Sequence, residues 1–69
     1  MIIKINGEEE TIEKEAVTIT DLLELKNVKM PEMVSVEHNG DMLDRENFSS
    51  TAVAEGDEVE FLYFMGGGY

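Results

Sequence analysis

The residues best placed to take part in chemistry lie near the C-terminus, where Gly66, Gly67 and Gly68 follow Met65 and precede Tyr69. Three consecutive glycines have no side chains to pack, so we expect an extended and mobile segment that other proteins can engage. The alternative is a frayed terminus or a spacer. A functional role is favoured because the glycines directly follow an apolar strand pattern and almost nothing follows them.

Outside this segment the sequence contains no recognisable active site. It has no cysteine, which excludes disulfides, thiolate zinc sites and a cysteine nucleophile. It also lacks a Ser-His-Asp set and a phosphate-binding loop, so we expect a protein that is not an enzyme. His38 is the only histidine. We expect it to be structural rather than a metal ligand, lying at the inner edge of a sheet or by the turn that follows.

The other charged side chains give two further expectations. One group of acidic residues does not follow the spacing of an EF-hand loop, so no metal site is expected. Its members are Asp41, Asp44, Glu46, Asp57 and Glu58. Arg45, the only arginine, is expected to pair internally with a carboxylate, and contact with a partner is the alternative.

The overall charge limits the kinds of partner that the chain can bind. Sixteen acidic residues oppose five basic ones, for a net charge of -11. This balance disfavours nucleic acid and anionic membranes and favours partners with basic surfaces, unless it serves solubility alone. No apolar run approaches the ~20 residues that span a bilayer, and the N-terminus lacks the features of a signal peptide. Together with the missing cysteines, this predicts a cytoplasmic protein.

The first half of the chain is predicted to form a hairpin and a helix. At 69 residues the chain is long enough for one domain. Ile3 and Ile5 mark a first strand, the dipeptide Asn6-Gly7 predicts a tight turn, and residues 11–13 are expected to be the return strand.

A short helix is predicted over residues 19–26. Thr18 is the expected N-cap, and Asp21 is the expected acid of a capping box. Leu22 and Leu23 recur at helical spacing and should face the core. A helix of about two turns is stable only when it packs on another element, which we expect to be a sheet.

The second half is predicted to add more strands. Val34 and Val36 mark one strand, which a turn at residues 39–40 connects to a short return at residues 42–43. Residues 44–54 are expected to form an irregular loop, and its expected anchors are Phe48 and Val53.

The last strand follows a turn at residues 55–57. Val59, Phe61 and Tyr63 share one of its faces, and the other face carries Glu58, Glu60, Leu62 and Phe64. Leu62 and Phe64 are therefore expected to be exposed apolar groups beside the glycines. Exposed apolar groups often mark partner sites, so we predict a docking surface formed by Leu62, Phe64, Met65 and Gly66. The alternative is that a twist or a neighbouring loop covers them.

Together these elements predict an α+β fold in which a mixed sheet of four to five strands packs on one short helix. The first and last strands are the most apolar, so we expect them to be adjacent and central. The predicted domain covers residues 1–65, and residues 66–69 form a flexible glycine-rich C-terminal tail.

Several short motifs, in order, resemble a known family. They are Ile5-Asn6-Gly7-Glu8, the run VTITDLL at residues 17–23, VSVEHNG at 34–40, Arg45 with Phe48, EGDEVE at 55–60, and the glycine tail. Each motif alone is weak, but their order and spacing over nearly the whole chain make the match fairly specific. The sequence is similar to the ubiquitin-like sulfur carriers of thiamine thiazole synthesis (the ThiS/MoaD-like family), with the molybdopterin-synthase small subunit as a more distant relative.

The resemblance implies a β-grasp, ubiquitin-like fold and a role as a protein cosubstrate. An E1-like adenylyltransferase (ThiF/MoeB-like) would use ATP and Mg to adenylate the terminal glycine carboxylate, and a persulfide would convert it to a thiocarboxylate. A synthase such as thiazole synthase would then accept the sulfur, and the biosynthesis of a related sulfur metabolite such as cysteine or homocysteine is the alternative to thiamine thiazole. The carrier itself would bind no cofactor.

The sequence departs from this family at its last residue. The family pattern ends in Gly-Gly with a free carboxylate, whereas Tyr69 follows Gly68 here. The first interpretation is a precursor from which a peptidase, such as a zinc metalloprotease, removes Tyr69 so that the thiocarboxylate forms at Gly68. The activating enzyme could instead tolerate Tyr69, or the chain could be a diverged carrier that no longer takes sulfur. Two other functions stay open, a non-covalent β-grasp adaptor and a ubiquitin-like protein modifier.

Overall fold

The computed structural model describes residues 1–63, which form a mixed five-stranded sheet with one α-helix packed on one face. In chain order the strands and the helix are β1 (Ile2–Ile5), β2 (Glu8–Thr11), β3 (Val17–Thr18), α1 (Ile19–Leu25), β4 (Val34–His38), β5 (Asp41–Leu43), β6 (Ala52–Val53) and β7 (Glu58–Tyr63). Short 3₁₀ turns occupy Pro31–Met33 and Arg45–Asn47. The α+β class is confirmed. The predictions for Phe64, Met65, Gly66, Gly67, Gly68 and Tyr69, and the domain boundary at residue 65, lie outside the described residues.

The two Asn-Gly turns set the strand pairing. Asn6 and Gly7 have φ values of 52° and 84°, and Asn39 and Gly40 have 53° and 89°. Two successive positive φ angles are those of a type I′ turn, which asparagine and glycine adopt more readily than other residues. Both predicted hairpins are therefore confirmed.

The return strand of the first hairpin begins earlier than predicted. A two-residue turn brings Glu8 directly opposite Ile5, so β2 is Glu8–Thr11 rather than residues 11–13. The prediction was wrong because it followed the apolar Ile12. That residue lies just past the strand, where its side chain is buried in the core. Pairing with β1, rather than strand propensity, holds the glutamate-rich β2 at the sheet edge.

The helix begins as predicted. The Thr18 hydroxyl accepts a hydrogen bond from the Asp21 N–H at 3.2 Å, and the Asp21 carboxylate accepts one from the Thr18 N–H at 3.0 Å. These reciprocal bonds form the capping box. At the other end Asn27 has a φ of 57°, and the Val28 N–H donates to the Leu23 carbonyl at 3.0 Å. This is a Schellman ending, which the sequence prediction missed.

One core joins the helix to the sheet. Leu22 is fully buried and Leu23 is nearly so, as predicted. They pack with apolar residues of the inner sheet face, the start of the helix, the short strands β3 and β6, and the loops, namely Ile3, Ile5, Ile12, Val17, Ile19, Val34, Val36, Phe48, Val53, Val59 and Phe61.

The region predicted as an irregular loop, residues 44–54, contains more order than expected. Phe48 and Val53 are buried, so the two predicted anchors are confirmed. However, Val53 pairs with Val17 in a separate two-stranded sheet, β3–β6, which the sequence prediction missed. A pair of two-residue strands gives no readable alternation.

The last strand is the middle strand of the main sheet, whose order is β2-β1-β7-β4-β5. It runs parallel to β1 and antiparallel to β4. The prediction that the first and last strands are adjacent and central is confirmed. This is the β-grasp arrangement that the resemblance implies.

Candidate functional site

The end of β7 is the part of the described structure from which the glycine segment continues. Ile5 pairs with Val59, and β1 ends there. On its other side β7 stays paired with β4 as far as Tyr63, which lies opposite Val34. The final residues of β7 therefore project past β1 and are supported mainly by β4.

Asn6 closes the gap that β1 leaves. Its side-chain oxygen accepts a hydrogen bond from the Phe61 N–H at 2.8 Å. The side chain thus replaces the backbone acceptor that a longer β1 would have supplied, and it satisfies a backbone donor that would otherwise lose its partner. From the sequence, Asn6 is predicted to form a turn only, because nothing local indicates a contact with a residue 55 positions away.

Leu62 is the one predicted docking residue within the described range. It belongs to the sheet face opposite α1, where it pairs with Ser35. Its exposed fraction is 39%. The prediction that Leu62 is an exposed apolar group is therefore confirmed, whereas its docking role stays a prediction. The adjacent Tyr63 is also exposed, at 55%.

The same sheet face carries acidic side chains. Glu60 lies directly opposite Glu37 of β4, and Glu37 lies opposite Met42 of β5. Met42 is 61% exposed. The part of this face formed by β5, β4 and β7 therefore combines exposed apolar side chains with unbalanced carboxylates.

Arg45 supports the start of β4, the strand that holds Leu62 and Tyr63. Its guanidinium donates to the carbonyls of Pro31 at 2.6 Å and Val34 at 2.9 Å, and it lies 5.6 Å from the ring centroid of Phe48. The expected ion pair with a carboxylate is wrong for residues 1–63, since the guanidinium there binds backbone carbonyls instead. Planar guanidinium donors can serve two acceptors at once, which explains the use of arginine here.

His38 lies at the opposite end of β4, beside the second turn, as predicted. Its Nε2 is 2.8 Å from a carboxylate oxygen of Asp57. The same carboxylate accepts bonds from the Ala54 N–H at 2.8 Å and the Asn39 side-chain amide at 3.2 Å. Burial raises the pKa of Asp57, but these hydrogen bonds outweigh it and hold the pKa below its ordinary value. The network ties the second turn to the start of β7, which agrees with a structural role for His38.

Two negative findings apply to residues 1–63. No group of three or more histidine, cysteine, aspartate or glutamate side chains is arranged to hold a metal ion. None of the helices in that range has the length and apolar character needed to cross a membrane.

The fold and the site together define a class of protein. A short helix packs across a mixed sheet, and the central strand of that sheet leads into a glycine-rich segment, so the chain is a small β-grasp protein of the ubiquitin-like kind. The model of the ThiS family matches residues 2–68. The chain therefore belongs to the ThiS family, the sulfur-carrier family that its motifs resemble.

Solved structures agree with this assignment. The crystal structure of a thiamine biosynthesis protein (ThiS) from Geobacter metallireducens is 48% identical, covers 99% of this chain and 100% of its own, and superposes with a TM-score of 0.88. An NMR solution structure of a thiamine biosynthesis protein from the same organism is 47% identical and covers 100% of this chain and 90% of its own, with a TM-score of 0.83. The comparison with curated proteins gave no match.

Proposed function

We propose that this protein is a sulfur carrier of thiamine biosynthesis and acts as a protein cosubstrate rather than an enzyme. The observation that carries the proposal is the family match, which continues through the glycine segment and ends at Gly68, with Tyr69 outside it. The 48% identity to a thiamine biosynthesis protein over the whole chain supports the pathway. The recipient of the sulfur would be a thiazole synthase.

The chemistry takes place on the carboxylate of Gly68. A ThiF-like enzyme uses ATP and Mg²⁺ to convert this carboxylate to an acyl-adenylate, with release of pyrophosphate. The terminal sulfur of a persulfide then attacks the carbonyl carbon and displaces AMP. This attack forms a new C–S bond, and a thiol then cleaves the S–S bond that came with the persulfide, which forms a disulfide with the donor and leaves the thiocarboxylate on the carrier. Glycine suits this position because it has no Cβ to obstruct a narrow channel.

Whatever follows Gly68 has to be removed before this carboxylate exists. We therefore include in the proposal the hydrolysis of the Gly68–Tyr69 bond by a peptidase, with a metalloprotease as the candidate. Until that cleavage the carrier would be held inactive, because a bulky aromatic residue occupies the position that must enter the nucleotide site.

The docking surface proposed for the activating enzyme consists of Leu62, Phe64, Met65 and Gly66. Leu62 supports it by its exposure on the face opposite the helix. Its position in β7, the strand that leads towards Gly68, would let the enzyme hold the sheet while the glycines reach the nucleotide.

The test uses three forms of the chain, ending at Tyr69, at Gly68 and at Gly66. Each is incubated with a ThiF-like enzyme, ATP, Mg²⁺ and a persulfide donor, and AMP release and intact mass are measured. Only the form ending at Gly68 should release AMP stoichiometrically and gain the mass expected for replacing oxygen with sulfur. Equal reaction of the form ending at Tyr69 would contradict the trimming step, and no reaction of the Gly68 form would contradict the carrier function. Recovery from the native host in isopeptide linkage to larger proteins would instead indicate a protein modifier.

A further inference from the structure

The half of the outer sheet face formed by β7, β4 and β5 has a distinctive composition. The outer face is the side of the sheet opposite α1. We define the outer patch as Ser35 and Glu37 of β4, Met42 of β5, and Glu60 and Leu62 of β7, which neighbour one another in the strand register. Met42, Glu60 and Leu62 are exposed, and Glu37 lies between Met42 and Glu60 in the strand register.

Two like charges face each other at the centre of the outer patch. Glu37 and Glu60 are direct partners in the antiparallel pair β4–β7. Like charges directly opposite each other in a sheet are destabilising. Over residues 1–63 the ion pairs are Lys26–Glu10 and His38–Asp57, so neither glutamate has a cationic partner there.

On the other half of the outer face, towards β1 and β2, a lysine accompanies the carboxylates. Lys4 of β1 lies between Glu9 of β2 and Glu58 of β7 in the strand register. A positive charge therefore separates these two carboxylates. The unbalanced pair occurs only on the side of the face that adjoins Leu62.

Solubility does not explain this arrangement. Exposed carboxylates improve solubility wherever they lie, and the chain has sixteen acidic residues. Placing two of them in direct register adds repulsion without adding solubility. The repulsion disappears if a cation from another molecule lies over both carboxylates, and the flanking Leu62 and Met42 would then be covered by apolar groups of the same partner.

We propose that the outer patch docks the adenylating enzyme and that this enzyme presents an arginine or lysine to Glu37 and Glu60, with apolar side chains against Leu62 and Met42. This inference rests on the proposed carrier function and names the chemistry of the partner surface. Gly68 lies six positions after Leu62 in the chain, and six fully extended residues span at most about 20 Å. The nucleotide site of the enzyme would therefore lie within about 20 Å of its contact with Leu62.

The test is the kinetics of adenylation by the ThiF-like enzyme of the same organism, with chains ending at Gly68. The double variant Glu37→Gln/Glu60→Gln removes both charges with almost no change in shape. The matched control is Glu13→Gln/Glu15→Gln, which removes two exposed charges between β2 and β3. Thermal unfolding of each variant checks that the fold is intact, and the outer-patch variant should be at least as stable as the native sequence.

The outer-patch variant should raise the KM for the carrier about tenfold, leave kcat unchanged and weaken the dependence of KM on salt. The control should change KM less than about twofold. Equal increases in both variants would show general charge attraction and overturn the inference, as would an unchanged KM in the outer-patch variant. If the native sequence ending at Gly68 released no AMP, the carrier function would fail and this inference with it. If the native sequence is adenylated normally and the outer-patch variant has the same KM, the carrier function stands and only this inference is overturned.

Discussion

The Asn6 side-chain oxygen accepts a hydrogen bond from the Phe61 N–H, and the Asn39 side-chain oxygen accepts one from the Glu58 N–H. Both asparagines occupy the first of the two central positions of a type I′ turn and have positive φ angles. Each turn therefore does more than reverse the chain. It supplies a side-chain acceptor to the central strand β7, one near the start of the strand and one near its end.

Asn6→Gly should release the end of β7 without straining the turn, because glycine tolerates the positive φ. The lost hydrogen bond should reduce the free energy of unfolding by about 1–2 kcal/mol, measured by urea denaturation. Hydrogen exchange of the Phe61 amide should accelerate. Asn39→Gly is the matched control, since it should accelerate exchange at Glu58 and leave Phe61 protected. Unchanged protection of Phe61 in the Asn6 variant would contradict the assigned role.

The hydrogen bonds to Asp57 predict a dependence of stability on pH. Because they lower the pKa of Asp57 in the folded state, its contribution is fully present above the unfolded pKa of about 3.9 and is lost as the pH falls through the lower folded value. Asp57→Asn should therefore be less stable than the native sequence at pH 7, and the difference should shrink as the pH falls below about 4.

This pH profile is measured by urea denaturation from pH 7 to pH 2. Asp41→Asn is the control, because Asp41 is an exposed aspartate with no side-chain hydrogen bond among the described residues. The free energy of unfolding of the control should change with pH in the same way as that of the native sequence between pH 7 and pH 2. If the free energies of unfolding of Asp57→Asn and the native sequence differ by the same amount at every pH, titration of Asp57 does not cause the loss of stability.

Local rules predicted much of this fold, and contacts between distant segments account for what they missed. The two Asn-Gly turns and the capping box of Thr18 and Asp21 depend on residues at most three positions apart. The bond from Phe61 to Asn6 and the bonds from Arg45 to Pro31 and Val34 join residues separated by 11 to 55 positions. Neither residue type nor spacing indicates such partners before the fold is known.

Local patterns also predicted part of the candidate site, and the rest depends on contacts between distant segments. The exposure of Leu62 followed from strand alternation and the position of the last strand. The pairing of Glu37 with Glu60 required the register between β4 and β7, which is set by the order of strands in the sheet. An expected ion pair for Arg45 was wrong because a guanidinium is satisfied as well by backbone carbonyls as by a carboxylate.

Arg45→Lys tests whether this residue is structural. Lysine keeps the charge but cannot reproduce the planar pair of bonds to Pro31 and Val34. The free energy of unfolding should fall by about 1–2 kcal/mol in urea denaturation. The KM for adenylation should stay unchanged at a temperature where the variant is folded. A raised KM with unchanged stability would assign Arg45 to partner contact instead.

Leu62→Ser tests the docking role of the last strand. Because Leu62 is partly exposed, its replacement should lower the free energy of unfolding by about 1 kcal/mol or less. Loss of an apolar contact with the activating enzyme should raise the KM for the carrier about tenfold. Ile2→Ser is the matched control, because Ile2 is a similarly exposed apolar residue on the same sheet face, on β1 rather than beside the glycines. Its KM should match that of the native sequence. If both variants raise KM equally, the enzyme covers the whole outer face. If neither variant raises KM, the docking role of Leu62 is wrong, and the enzyme contacts the carrier beyond residue 63 or on another surface.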